Sequence, residues 1–134
     1  MYKRQGGTLG ARALPEGLDA TAIARLRELD PTGQARLVER VIDAYLGSAD
    51  RLALQLREAR DRADVAAVRM VAHTLKSSSA SVGALALARQ CAETEALARD
   101  RGWVPDLPPA IDALLSQLSG AVRALTELKG AGPA

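Results

Sequence analysis

Between Leu18 and Leu128 the apolar residues recur at alternating three- and four-residue steps, in one segment after another. That spacing follows the 3.6-residue turn of an α-helix, and no stretch shows the two-residue alternation of a half-buried strand. Composition points the same way. The chain has 27 Ala and 20 Leu against 8 Val, 3 Ile, 2 Tyr, 1 Trp and no Phe, so helix formers dominate and strand formers are scarce. At 134 residues and 48% hydrophobic content one domain with one core is expected, which excludes a multidomain enzyme and speaks against a disordered chain.

Breakers divide the helical pattern into five segments. The first runs from about Asp19 to Leu29, with Asp19 as N-cap, Ile23, Leu26 and Leu29 on one face, and Asp30-Pro31 as the stop. The second, about Gln34 to Arg60, carries Val38, Val41, Tyr45, Ala49, Leu52, Leu56 and Ala59 along one stripe. In the third, about Asp64 to Ala80, the stripe is Val65, Val68, Ala72, Leu75, Ser79 and Val82, and Gly83 supplies a left-handed terminus. The fourth, about Ala84 to Arg101, is expected to bury Ala84, Leu87, Ala88, Cys91 and Ala98 before Gly102-Trp103-Val104-Pro105 ends it. The fifth begins after Asp106, tolerates Pro108 and Pro109 in its first turn, and presents Ile111, Leu114, Leu118, Val122, Leu125 and Leu128. Amphipathic helices with short connections pack as an antiparallel up-down-up-down four-helix bundle, all-α, with the short first helix capping one end. The expected organisation is a flexible or linker segment over 1–17, the bundle over 18–129 and a Gly/Pro tail over 130–134.

Lys and Arg number 18 against 16 Asp and Glu, a formal charge of +2. So small an imbalance gives no support to nucleic-acid binding. Cys91 is the only cysteine, so it can form neither an internal disulfide nor a zinc site, and a reducing compartment fits best. The charged N-terminus never develops the apolar core of a signal peptide, and no segment runs 18 apolar residues. The expectation is a cytoplasmic monomer with no direct membrane insertion.

The third helix departs from the bland pattern. At 100° per residue, the face opposite its stripe carries Ala66, Met70, His73 and Ser77, flanked by Arg69 and Lys76. A solvated face ordinarily reads charged; this one is small or apolar and holds the only histidine of the chain. Periodicity alone leaves two readings of His73 open, an idle solvent-facing residue or a nucleophile attacking phosphorus through a ring nitrogen. Lys76, one turn along, is either an ordinary surface lysine or the cation that offsets charge on a transferred phosphoryl group.

The run Ala72-His73-Thr74-Leu75-Lys76-Ser77-Ser78-Ser79-Ala80-Ser81-Val82-Gly83-Ala84, continued by Leu87, Cys91 and Glu95, resembles the signature of histidine-containing phosphotransfer (HPt) domains of multistep bacterial phosphorelays. The resemblance implies that His73 is the phosphoacceptor, that Lys76 lies near the phosphoryl group, and that Ser79 and Gly83 support the histidine helix. Glu95 falls where family members carry a polar residue beside the histidine, so it is either an imidazole-orienting group or a plain helix glutamate. Ser77 stands where many members have glycine, and Thr94 where many have leucine, which leaves the local packing of the fourth helix in question.

The function implied is a phosphorelay intermediate. It accepts a phosphoryl group on His73 from a receiver-domain aspartyl phosphate and passes it to another receiver aspartate. Response-regulator receiver domains, and a hybrid sensor histidine kinase, are the implied partners, with Ala66, Arg69, Met70 and Ser77 as the docking face. No cofactor is expected in this chain; Mg²⁺ and most catalytic groups belong to the receiver. No phosphate-binding glycine loop or kinase motif occurs, so the chain is a phosphotransfer carrier without ATP-dependent kinase activity of its own. Competing readings are a helical adaptor that binds receivers or kinases without carrying phosphate, and a bundle cofactor site using His73, Met70 or Cys91. Cys91 is expected in the core and Trp103 as a lid over the bundle end.

Overall fold

The computed structural model describes residues 14–130. Five helices follow in order: α1 (Ala20–Glu28), α2 (Leu37–Arg62), α3 (Val65–Ser81), α4 (Leu85–Arg101) and α5 (Leu107–Gly130), with no strand among the described residues. Contacts join α2 to α3, α3 to α4, α4 to α5 and α5 back to α2, while α1 rests on α2. Connections this short reverse the chain at each step, so the four long helices form an antiparallel bundle with α1 at one end. The expected fold class is the one observed.

Local chemistry explains the boundaries. The Asp19 carboxylate accepts from the Ala22 N–H at 3.0 Å and caps α1. The same residue's N–H donates to the Gly83 carbonyl at 2.8 Å, tying α1 to the α3–α4 turn. Gly83 is required there twice over: its φ is +85°, and a Cβ would stand 3.0 Å from the Asp19 carbonyl oxygen. The Ala84 N–H returns to the Ser79 carbonyl at 2.9 Å, which closes α3 in a Schellman turn.

The start of α2 corrects the expectation of Gln34. Arg36 is left-handed, at φ +54°, and the Asp30 carboxylate accepts from Ala35 and Leu37 N–H groups at 3.4 and 3.1 Å. The helix cannot propagate back through that turn. At its other end α2 runs to Arg62 and stops at Ala63, also left-handed at φ +54°. Asp64 then caps α3, accepting from the Ala67 N–H at 3.1 Å.

The core is aliphatic and rich in alanine. Ile42, Leu56, Val68, Leu75, Leu107, Ile111, Leu114 and Leu125 are fully buried, and Ala49, Ala59, Ala72, Ala84, Ala98, Ala121 and Ala124 let the helices approach closely. Each large aliphatic side chain contributes about 1.5–3 kcal/mol by leaving water. Val38 and Val41 flank the α2 stripe half-buried while Ile42 takes its centre, and Ala88 is likewise half-buried. Leu29 overturns its expected place on the packed face, being 75% exposed. Two three-residue steps from Ile23 leave it about 120° off that residue's direction, so the step rule drifts out of the contact. Gly130, expected to open the tail, is instead the last residue of α5, and Lys129 just before it pairs with Asp43 of α2. Of the expected linker, residues 14–17 form a turn in which the Leu18 N–H donates to Pro15 at 3.3 Å; residues 1–13, and 131–134 of the expected tail, lie outside the described residues.

Candidate functional site

The site is built by two neighbouring helices. His73 lies midway along α3 with its side chain 67% exposed, while Ala72 on one side of it and Leu75 on the other are fully buried. Its Nδ1 lies 2.7 Å from Oε2 of Glu95, which comes from α4. The other carboxylate oxygen, Oε1, accepts from Lys76 Nζ, also at 2.7 Å. Glu95 is only 15% exposed, and the Lys76 ammonium holds its carboxyl below the usual carboxylate range, with a further contribution from His73 and an opposing one from desolvation. The arrangement is a chain of charge-assisted hydrogen bonds from ammonium to carboxylate to imidazole. With Nδ1 engaged, Nε2 is the nitrogen left to face solvent.

Around the ring, Ala66, Arg69, Met70 and Ser77 are all exposed, Met70 to 64%. They share one side of α3 with His73, as helix spacing predicts. Lys76 sits nearer α4, half-buried, because its ammonium turns toward Glu95. The serine run is quiet: Ser78 and Ser81 donate to the Thr74 and Ser77 carbonyls at 3.2 and 3.1 Å, so these hydroxyls are spent on their own helix.

Beneath the site, Ser79 is fully buried and its hydroxyl meets the Tyr45 hydroxyl of α2 at 2.8 Å. Burial pushes the Tyr45 phenol up to about 12. The reading of Tyr45 as stripe residue only missed this contact; a serine and a tyrosine on facing apolar stripes were the available signal, since buried hydroxyls require partners. The doubt over Thr94 resolves locally: it is buried, and its hydroxyl donates to the Gln90 carbonyl at 2.8 Å. Cys91 is core, with its thiol pushed up to about 12 by burial. Trp103 packs against the core from the α4–α5 connection. Among the described residues no group of three His, Cys, Asp or Glu could hold a metal ion, and no helix is long and apolar enough to cross a membrane.

An exposed imidazole, oriented from a neighbouring helix of a four-helix bundle, defines a histidine phosphotransfer module, and sequence comparison agrees. The Hpt domain family matches residues 40–131; the chain belongs to this family and is a histidine phosphotransfer relay intermediate. Its fold is similar to the crystal structure of histidine-containing phosphotransfer protein B from Pseudomonas aeruginosa PAO1, with a TM-score of 0.74 at 24% identity, covering 86% of this chain and 96% of that one. No curated protein matches the chain.

Proposed function

We propose that His73 is the phosphoacceptor, taking a phosphoryl group on Nε2 from the aspartyl phosphate of one receiver domain and passing it to an aspartate of another. The observation that carries this reading is the Glu95 contact, which occupies Nδ1 and leaves the other nitrogen of an exposed ring free. Glu95 orients the imidazole, and Lys76 supplies positive charge for the phosphoryl oxygens. Mg²⁺ and the rest of the machinery belong to the receiver, and this chain needs no cofactor of its own.

The partners on this reading are response-regulator receivers, and a hybrid sensor kinase as a source of phosphate. They dock over Ala66, Arg69, Met70 and Ser77, where an apolar centre with a charged rim suits a transient complex. The chain acts as a cytoplasmic monomer, without nucleic acid and without membrane insertion. The test incubates the chain with a panel of phosphorylated receivers. Acid-labile, base-stable phosphate on the wild type and none on His73→Gln is the expected result; label on the variant overturns the assignment.

A further inference from the structure

Five hydroxyl side chains lie between residues 74 and 81 of α3, and four of them are spent. Thr74 donates to the Met70 carbonyl at 3.0 Å, Ser78 to that of Thr74 at 3.2 Å and Ser81 to that of Ser77 at 3.1 Å, each reaching back one turn. Ser79 meets Tyr45 in the core. Ser77 is the exception. It is exposed, and among the described residues its hydroxyl has no hydrogen-bond partner, although the His73 carbonyl lies one turn back, in the place that serves its three neighbours.

Building on the acceptor reading above, we infer that the Ser77 hydroxyl donates a hydrogen bond to a phosphoryl oxygen on His73, as a second donor facing Lys76 across the ring. At about 100° per residue, Lys76 stands about 60° to one side of His73 and Ser77 about 40° to the other. Lys76 is drawn toward α4 by Glu95, which takes its ammonium at 2.7 Å, so it approaches the phosphoryl group from that side. The side away from α4 holds Ala66, Met70, Thr74, Ser77 and Ser81. Ala66 and Met70 carry no donor, and the Thr74 and Ser81 hydrogens point into their own helix. Ser77 alone can donate there.

Reach is set by the helix. Side chains one turn apart have Cβ atoms about 5–6 Å from each other and lean toward the N-terminus, so Ser77 leans over the turn that carries the imidazole. A phosphoryl group has three strong acceptor oxygens and close to two negative charges, more than the one ammonium of Lys76 answers. The contact moves no proton and breaks no bond; it stabilises the phosphorylated chain through a hydrogen bond to an anion. Ser77 stands where many family members have glycine, which has no side-chain donor, so the contact is particular to chains with a hydroxyl at this place.

The test uses the full chain, phosphorylated with phosphoramidate, as wild type, Ser77→Ala and Ser81→Ala. One readout is the ³¹P resonance of the phosphohistidine. The other is the equilibrium division of label between the chain and a receiver that exchanges phosphate with it, held dilute enough that the two stay apart, so that docking drops out of the ratio. Ser77→Ala should move the resonance and shift the label toward the receiver about three- to tenfold. Its melt should not fall, since alanine is the better helix former. Ser81→Ala removes a hydroxyl spent on its own helix and should leave both readouts at their wild-type values. Ser77→Gly deletes the same hydroxyl and should reproduce the shift of Ser77→Ala. Wild-type resonance and division in either Ser77 variant, or an equal shift in Ser81→Ala, overturns the inference. Absence of label on His73 of the wild type would instead overturn the acceptor reading itself.

Discussion

Helix α3 makes short polar contacts to its neighbours on two of its faces, and they are built for different ends. On the inner face the Ser79 hydroxyl meets Tyr45 at 2.8 Å in full burial; on the outer face the His73 ring meets Glu95 at 2.7 Å while two-thirds exposed. Inside, a lost partner strands a hydroxyl away from water, so the contact is felt as stability. Outside, water replaces a lost partner, so what is forfeited is the orientation of the ring, which on the proposed function is the orientation of the acceptor nitrogen. One helix therefore carries its structural and its chemical duties on opposite sides, where each can be altered without the other.

The sharpest way to break this division is His73→Gln. Phosphotransfer should disappear entirely while the thermal melt stays within about 0.5 kcal/mol of wild type, as for other exposed substitutions. A destabilised variant would mean that the outer face is structural after all. Next in size is the docking patch. Ser77→Arg or Ala66→Glu should weaken receiver binding, measured by calorimetry, at least tenfold through steric exclusion and a desolvated charge, again without moving the melt. Lys76→Ala should slow transfer through loss of about 1–3 kcal/mol of charge-assisted stabilisation while leaving receiver affinity in place, which stopped-flow transfer kinetics can separate.

The inner face is probed by Tyr45→Phe, which strands the Ser79 hydroxyl and should cost about 1–3 kcal/mol in denaturant unfolding with no change in transfer rate. Its pH dependence sharpens the contrast. The phenol is raised to about 12 in the folded chain, so its contribution is fully present below pH 10 and is lost as pH rises toward 12. Cys91, raised to about 12 from 9.0, adds a loss that begins about one unit earlier. Wild type should thus weaken steeply on the alkaline side, and Tyr45→Phe less so. Glu95 is shifted the other way: its depressed carboxyl keeps the outer contacts above the usual carboxylate range and releases them only as pH falls below it. The smallest expected effect lies outside both faces. Ala63→Gly should stabilise the chain by about 0.5–1 kcal/mol, because Ala63 is held left-handed at φ +54°.

Where the sequence spoke clearly, it did so through spacing within one helix. His73, Ala66, Met70 and Ser77 are collinear by arithmetic, and α3 and α4 lie within a residue or two of their expected bounds. Contacts between helices were less legible. That Glu95 serves Lys76 as well as His73, or that Tyr45 meets Ser79, depends on the rotation of two helices about each other, which no single stripe fixes. Turn chemistry was the other blind spot. Asp30 reaches forward to cap Leu37 from seven residues away, beyond the reach of any capping rule that looks three residues ahead.

The imidazole and the carboxylate that holds it are only 22 residues apart, in one helical hairpin. The Arg60–Asp112 pair that links α2 to α5 spans 52. Loop-closure entropy grows with that separation, and low contact order favours early assembly. During folding, then, His73 and Glu95 should meet before the bundle is sealed around them. Histidine, lysine and glutamate thus travel together on one contiguous stretch of chain, the α3–α4 hairpin.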